Sequence, residues 1–259
     1  MKAVILAGGK GSRLSEFTDV LPKPLVPIDN FPILIHIMDI YGRQGVKDFI
    51  ILTGHKGHLI REFFFNFWPR FNDFTINLNT NKIQTSSKHQ TLNWNVSLID
   101  TGENTMTGGR LLRAKKLLEK EESFYFTYGD GLSNVNLKNL YKHHLDMGAV
   151  ATVTAVQPPG RFGALKMDKG MVKAFLEKPE GDGAYINGGF FVFTNEIFNF
   201  LENDETVLEK EPLTRLAAEG KFSAFVHTGF WQCMDTLRDV EAIKSFAKMD
   251  PCPWLENEK

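Results

Sequence analysis

The sequence predicts an α/β fold, on three observations. Short apolar runs such as Ala3-Val4-Ile5-Leu6, Phe49-Ile50-Ile51-Leu52 and Phe124-Tyr125-Phe126 alternate with longer stretches of helical periodicity, the rhythm of buried strands joined by helices. Glycine-rich loops follow directly on several of these runs, at the strand ends where parallel α/β sheets bind ligands. A hairpin pattern late in the chain adds antiparallel character to the sheet. The 259 residues suit a single large α/β domain over 1–259. With 42% hydrophobic and 24% charged residues, a sizeable core can be buried. The net charge of −1 argues against general nucleic-acid binding, which needs a basic face. Cys233 and Cys252 provide no disulfide framework and fit a reducing cytosol. The apolar run after Met1 stops at Gly8-Gly9, too short for a signal peptide, and no run of membrane-spanning length follows. A cytoplasmic protein without membrane attachment is expected.

The first strand leads into Leu6-Ala7-Gly8-Gly9-Lys10-Gly11-Ser12-Arg13-Leu14. Glycines let the backbone turn and a ligand approach, backbone N–H groups in such a loop form an anion-binding concavity, and Lys10 and Arg13 add charge. The spacing is neither the dinucleotide fingerprint nor a P-loop, which leaves a polyphosphate cradle of another kind or an ordinary βα turn. In Leu21-Pro22-Lys23-Pro24 two prolines stiffen the chain around one lysine, so Lys23 is expected to project from a rigid, extended segment as a functional cation. Pro32 opens a helix over 33–44 that Gly45 ends. A strand over 48–54 and a helix over 58–67 follow. Leu59, Ile60, Phe63, Phe64 and Phe67 lie at helical spacing as core or subunit interface. His55 and His58 straddle a junction without a third ligand and make a poor metal site.

Residues 68–94 break the rhythm and read as an insertion: a strand over 74–79, then a polar, flexible stretch over 79–90. A strand over 95–100 restores the pattern and leads into Thr101-Gly102-Glu103-Asn104-Thr105-Met106-Thr107-Gly108-Gly109-Arg110, ahead of a helix over 111–120 whose N-terminus favours anions and polar groups. A strand over 123–128 precedes Gly129-Asp130-Gly131. An acid between glycines at a strand end is either an Asp–Gly turn or a Mg²⁺ ligand, since Mg²⁺ takes one or two carboxylates plus phosphate oxygens and water.

A helix over 137–147 carries the adjacent His143 and His144 in solvated or capping roles. A strand over 149–156, a hairpin over 162–177 and a strand over 185–194 come next. Glu177-Lys178-Pro179 pairs an acid with a stiffened cation. Asn187, Gly188 and Gly189 sit within the strand, where glycine serves close approach of a ligand or of backbone. A polyol carrying a phosphate suits that group. Helices over 196–203 and 212–218, a strand over 222–228 and a helix over 236–248 complete the chain. Asp235 either caps that last helix or shares a cation with Asp130. Residues 250–254 end the ordered fold, and the tail should fray.

Two glycine-rich loops, framed lysines and strand-end acids, without a Ser-His-Asp or Cys-His pair, suit phosphoryl-type chemistry between two phosphorylated substrates. The opening motif with Pro22-Lys23-Pro24 resembles the sugar-1-phosphate nucleotidylyltransferases. Residues 100–111, Phe126-Thr127-Tyr128-Gly129-Asp130-Gly131, 151–165 and 229–239 are similar to the branch of that family that joins CTP to glucose 1-phosphate. The resemblance implies a Rossmann-like, three-layer α/β sandwich with a mixed, mainly parallel central sheet and a smaller β-rich sugar-binding portion. It also implies Mg²⁺ dependence and a trimer or hexamer. By the same resemblance, residues 6–13 (Leu6, Ala7, Gly8, Gly9, Lys10, Gly11, Ser12, Arg13), Lys23, Thr105, Arg110 and Gly129 bind the nucleotide. Arg13, Lys23 and Asp130 act at the reacting centre, and Asp130 and Asp235 hold Mg²⁺. Glu177, Lys178, Asn187 and Gly188 bind the sugar phosphate. A family member specific for dTTP or UTP, and a non-catalytic sugar-nucleotide sensor, remain the alternatives at this stage.

Overall fold

A computed structural model describes residues 1–86, 92–157, 164–168, 171–176 and 184–256. The chain begins with β1 (Ala3–Ala7), α1 (Ser15–Thr18), the short paired strands β2 (Pro27–Ile28) and β3 (Phe31–Pro32), α2 (Ile33–Arg43) and β4 (Asp48–Thr53). It continues through α3 (Gly57–Phe65), α4 (Phe67–Phe71), the hairpin β5 (Asp73–Asn77) and β6 (Lys82–Ser86), and β7 (Asn95–Asp100). Next come α5 (Thr107–Arg113), α6 (Lys115–Leu118), β8 (Ser123–Tyr128), β9 (Gly131–Ser133), α7 (Leu137–Met147) and β10 (Ala151–Val156). The last third holds β11 (Ala164–Asp168), β12 (Met171–Leu176), β13 (Ile186–Asn187), β14 (Phe191–Thr194) and a 3₁₀ stretch Asn195–Phe200. It closes with α8 (Glu211–Ala218), β15 (Phe222–Val226), β16 (Trp231–Cys233) and α9 (Leu237–Ala247).

The central sheet runs β13-β10-β14-β8-β1-β4-β7, with β15 also on β10. β8, β1, β4 and β7 are parallel to one another, as are β10 and β15. β14 enters antiparallel between β8 and β10. Every residue of β1 is buried, which is why that strand is a continuous apolar run. Its side chains divide by parity: Ala3, Ile5 and Ala7 enter one core with α2, α7 and α9, while Val4 and Leu6 enter a second with α5, α6, α8 and Asn195–Phe200. The architecture is therefore three-layered, with a mixed sheet between two helical layers.

Helix boundaries follow local chemistry. α2 starts after Pro32, and Gly45 leaves its end at φ +94°, a conformation that suits glycine. α9 begins with a capping box: Asp239 N–H donates to Thr236 Oγ1 at 3.3 Å and Thr236 N–H to the Asp239 carboxylate at 2.8 Å. Thr236, not Asp235, is thus the cap.

Several expectations are corrected. The polar stretch after residue 79 is not a flexible loop up to residue 86, because β6 pairs with β5 in register. The turn is closed by Asn77 Oδ1, which accepts from Asn79 N and Thr80 N at 3.0 Å; residues 87–91 lie outside the described residues. The strand expected over 185–194 is broken at Gly189 and Phe190, whose φ values are +73° and +47°. The helix expected from 111 starts at Thr107 and divides at Ala114. His144 is not solvated: it is buried and meets Thr152 Oγ1 at 2.8 Å. Trp254, at the expected end of the ordered fold, is buried with its ring 5.9 Å from that of Phe230; residues 257–259 of the tail lie outside the described residues.

Candidate active site

The C-terminal ends of β1 and β8 open into a cavity of about 560 Å³. Residues 6–12 line it, with Lys23, Thr105, Arg110, Gly129 and Asp130. This is the point where the parallel strands leave β1 in opposite directions, the position at which open α/β sheets bind ligands. A second cavity of about 640 Å³ is walled by Trp68, Trp94, Val96, Leu98 and by Phe64 and Phe67, which the sequence assigned to core or subunit interface; it contains none of the expected nucleotide, metal or sugar-phosphate residues.

The glycines of the first loop have different causes. A Cβ on Gly8 would lie 2.4 Å from Arg110 Nη1, whereas Gly9 faces open space. Gly11 has φ +64°, and Thr18 Cγ2 would meet its Cβ at 2.8 Å. Thr18 Oγ1 donates to the carbonyls of Gly11 and Leu14 at 3.1 and 3.0 Å, fixing the loop as it enters α1. Arg13 belongs to the 3₁₀ turn Ser12–Leu14. Lys56 adds a further anchor through Nζ to Asp19 O at 2.6 Å.

Lys23 does not project from an extended segment. Pro22 is extended, but Lys23–Leu25 is a 3₁₀ turn with Leu25 N–H donating to Pro22 O at 2.8 Å. The turn drives the lysine inward. Its ammonium donates to Asp130 Oδ2 at 2.7 Å and to Asp235 Oδ1 at 2.8 Å. Burial alone would lower its pKa, but the charges and hydrogen bonds of Asp130 and Asp235 prevail and hold it above the ordinary lysine value. The two acids meet through strand pairing. β9, directly after Asp130, runs antiparallel to β16 with Gly131 opposite Cys233, and Met234 N–H donates to Asp130 O at 2.9 Å. Between them, burial and then the charge of Asp235 push the Cys233 thiol up to about 11, so it stays a neutral thiol.

Both carboxylates reach one cation, here an ammonium, which is the test for a shared metal site. Among the described residues no group of three or more His, Cys, Asp or Glu side chains gathers. Two converging carboxylates suit Mg²⁺, which keeps positions for water and phosphate oxygens, and do not suit an all-protein zinc cage.

The second loop corrects another expectation. Amides of Met106, Gly108 and Gly109 at the start of α5 are taken by carbonyls of the chain itself. Met106 N–H donates to Asp204 O at 2.8 Å, and Gly108 and Gly109 N–H to Thr206 O at 2.9 and 3.2 Å. Gly109 is dictated by that contact, since a Cβ would lie 2.6 Å from Asp204 Cα. Arg110 is buried and lines the cavity, yet its guanidinium already holds the loop. Nη1 donates to Thr101 Oγ1 at 2.6 Å and Gly102 O at 2.7 Å, and Nη2 to Glu103 O at 3.1 Å.

On the sugar side, Asn187 is exposed at the end of β13. Its Nδ2 donates to Tyr128 Oη at 3.1 Å and its Oδ1 accepts from Gly189 N at 2.8 Å. Gly188 is buried, with its N–H on Thr154 O at 2.9 Å and its carbonyl accepting from Trp231 Nε1 at 2.7 Å. A Cβ there would lie 2.9 Å from Thr154 O, so of the two causes open in the sequence, backbone approach explains this glycine. Glu177 and Lys178 lie outside the described residues. Tyr128 and Glu209, joined at 2.7 Å, were not singled out from sequence; the aromatic before Gly129-Asp130 was a usable signal, but nothing local marks Glu209.

A nucleotidyl transferase family model matches residues 2–248. The chain is 49% identical over 254 residues to a glucose-1-phosphate cytidylyltransferase of Salmonella typhi, covering 98% of each chain. The same values hold for the glucose-1-phosphate cytidylyltransferase of Salmonella typhimurium. Among solved structures, HddC from Yersinia pseudotuberculosis superposes with a TM-score of 0.71 at 25% identity, over 95% of this chain and 99% of that one. With its glycine loop after β1, its inward lysine and its paired acids after β8 and β16, the chain belongs to the nucleotidyl transferase family.

Proposed function

We propose that this chain transfers the cytidylyl group of CTP to glucose 1-phosphate, giving CDP-glucose and pyrophosphate. One observation carries the reading: Lys23, Asp130 and Asp235 converge beside the loop of residues 6–12, in a chain 49% identical to cytidylyltransferases acting on glucose 1-phosphate. An oxygen of the sugar phosphate attacks the α-phosphorus of CTP in line. The bond to the β-phosphate breaks as the new P–O bond forms, and its electron pair leaves with pyrophosphate. The attacking group is already anionic, so no general base is needed. The task is to position two anions and offset their repulsion.

The loop of residues 6–13, with Thr105 and Gly129, grips the nucleotide. Arg110 supports that grip by holding residues 101–103. Lys23 keeps a full positive charge, because its acid partners hold its pKa above the ordinary value. Asp130 and Asp235 would hold Mg²⁺, which when bound supplies charge neutralisation at the phosphoryl oxygens. Glu177 and Asn187 form the hexose side, with Gly188 shaping the backbone beside Asn187, and Lys178 takes the sugar phosphate. The chain acts as one catalytic domain in a homo-oligomer, with Phe65, Phe74, Ile76, Leu78 and Ile83 as exposed apolar contacts. Cys233 and Cys252 are free thiols, in keeping with a cytosolic site of action. Among the described residues no helix is long and apolar enough to cross a membrane.

The test is Asp130→Ala at saturating Mg²⁺ and substrates. Losing a metal-holding carboxylate should lower turnover at least ~100-fold, an effect of about 3 kcal/mol or more on the barrier. Near-wild-type CDP-glucose formation would overturn the assignment.

A further inference from the structure

Both carboxylate oxygens of Glu209 are engaged by hydroxyl groups from two walls of the cavity. Thr107, the first residue of α5, donates to Oε2 at 2.6 Å, and Tyr128, the last residue of β8, donates to Oε1 at 2.7 Å. These partners are 102 and 81 residues away in the chain. Glu209 itself is exposed, where water could solvate its charge, yet its oxygens turn toward the protein.

Elementary donor chemistry sets the direction of each bond. A carboxylate only accepts, so Tyr128 must give its single proton to Glu209. The tyrosine oxygen is left as an acceptor, and Asn187 must therefore turn Nδ2 toward it, at 3.1 Å. Asn187 Oδ1 then accepts from Gly189 N at 2.8 Å and keeps its second lone pair as an acceptor. On the other arm, Thr107 Oγ1 accepts from Leu208 N at 2.9 Å, which aims its proton at Glu209. The chain of bonds thus runs from the first residue of α5, through one carboxylate, to the amide at the end of β13.

We propose that Glu209 is a positioning residue that couples the two substrate subsites. Through Thr107 it fixes the nucleotide loop, and through Tyr128 it orients the Asn187 amide so that its oxygen accepts from a hexose hydroxyl. This rests on the reading of Asn187 as a hexose contact given above. The segment around Glu209 stays docked without it, because Asp204 O and Thr206 O hold the amides of Met106, Gly108 and Gly109. Glu209 variants should therefore fold.

The test is steady-state kinetics of the full chain, with KM for CTP and for glucose 1-phosphate read separately by pyrophosphate release and Tm recorded for each variant. Glu209→Ala should raise both KM values about tenfold, the worth of one charged hydrogen bond. Tyr128→Phe should raise only the glucose 1-phosphate KM, and Thr107→Val only that for CTP. Glu209→Gln should return the sugar-phosphate KM to within about threefold of wild type, since its amide oxygen still accepts the phenol proton. Glu209→Ala combined with Tyr128→Phe should raise the sugar-phosphate KM no further than Glu209→Ala alone, as expected for residues in one network. The proposal is overturned if Glu209→Ala leaves the sugar-phosphate KM within about twofold of wild type, or if the two effects add in full. Wild-type turnover separates the two readings: no CDP-glucose from wild type defeats the function, whereas normal wild-type turnover with an unmoved KM in Glu209→Ala defeats the coupling alone.

Discussion

Replacing Lys23 by methionine removes the cation between two carboxylates while keeping much of the aliphatic stem. Lys23 Nζ lies 2.7 Å from Asp130 Oδ2 and 2.8 Å from Asp235 Oδ1. Those oxygens are then at most about 5.5 Å apart, and at an effective dielectric of about 20 two unit charges at that distance repel by about 3 kcal/mol. Their side chains are 29% and 21% exposed, so solvent screens part of this, and a stability loss of about 2 kcal/mol is expected. For a chain of this size that corresponds to a fall in Tm of about 4–8 °C. The assay is thermal unfolding of wild type and Lys23→Met at pH 8, first with EDTA and then with millimolar Mg²⁺. The deficit should shrink in Mg²⁺, because a divalent ion supplies the missing charge to the acid pair. A Tm equal to wild type in EDTA, or a deficit that Mg²⁺ leaves unchanged, would refute the electrostatic account of this cluster. In turnover, kcat should fall more than CTP affinity, since the charge matters most as it develops on the transferred phosphoryl group.

Gly109→Ala forces a Cβ to within 2.6 Å of Asp204 Cα, where both backbones are pinned, and should cost about 1–3 kcal/mol in urea unfolding. Gly131→Ala, with nothing within 4 Å of its Cβ, is the control, and equal loss at the two positions would contradict the contact. His144 is buried, and burial followed by the charge of His143 lowers its pKa from 6.5 to about 4. The unfolded chain therefore binds the extra proton between those values, so stability rises with pH there and is lost as pH falls from about 6.5 toward 4, by up to about 3 kcal/mol. His144→Asn, which can keep a hydrogen bond to Thr152, should flatten that part of the pH–stability curve; an unchanged slope would assign acid sensitivity elsewhere.

The strands buried on both faces were legible because burial writes itself as an unbroken apolar run: β1, β4 and β8 lie where Ala3-Val4-Ile5-Leu6, Phe49-Ile50-Ile51-Leu52 and Phe124-Tyr125-Phe126 placed them. Features with distant causes were not. Thr107-Gly108-Gly109 reads as loop, and it is helix because Asp204 O and Thr206 O cap its amides from almost a hundred residues away. The break at Phe190 has φ +47° in a residue that gives no warning of it. The hairpin β5–β6 is largely exposed, so no core pattern marks its second strand. At the site, proline framing correctly marked Lys23 as unusual but misjudged its direction, because its carboxylate partners lie 107 and 212 residues along the chain. Asp235 was balanced between cap and cation partner, and Thr236 with Asp239 removes the capping role. Glu209 carries no local signature; only its two hydroxyl partners in space reveal it.

The central claim is tested most directly by pyrophosphate release with glucose 1-phosphate and Mg²⁺, using CTP, UTP, dTTP and GTP in parallel at equal concentration. The account predicts a kcat/KM for CTP at least ~10-fold above any other nucleotide, the difference that one or two base hydrogen bonds confer. A clear preference for UTP, dTTP or GTP, or no release with any of the four, would contradict it.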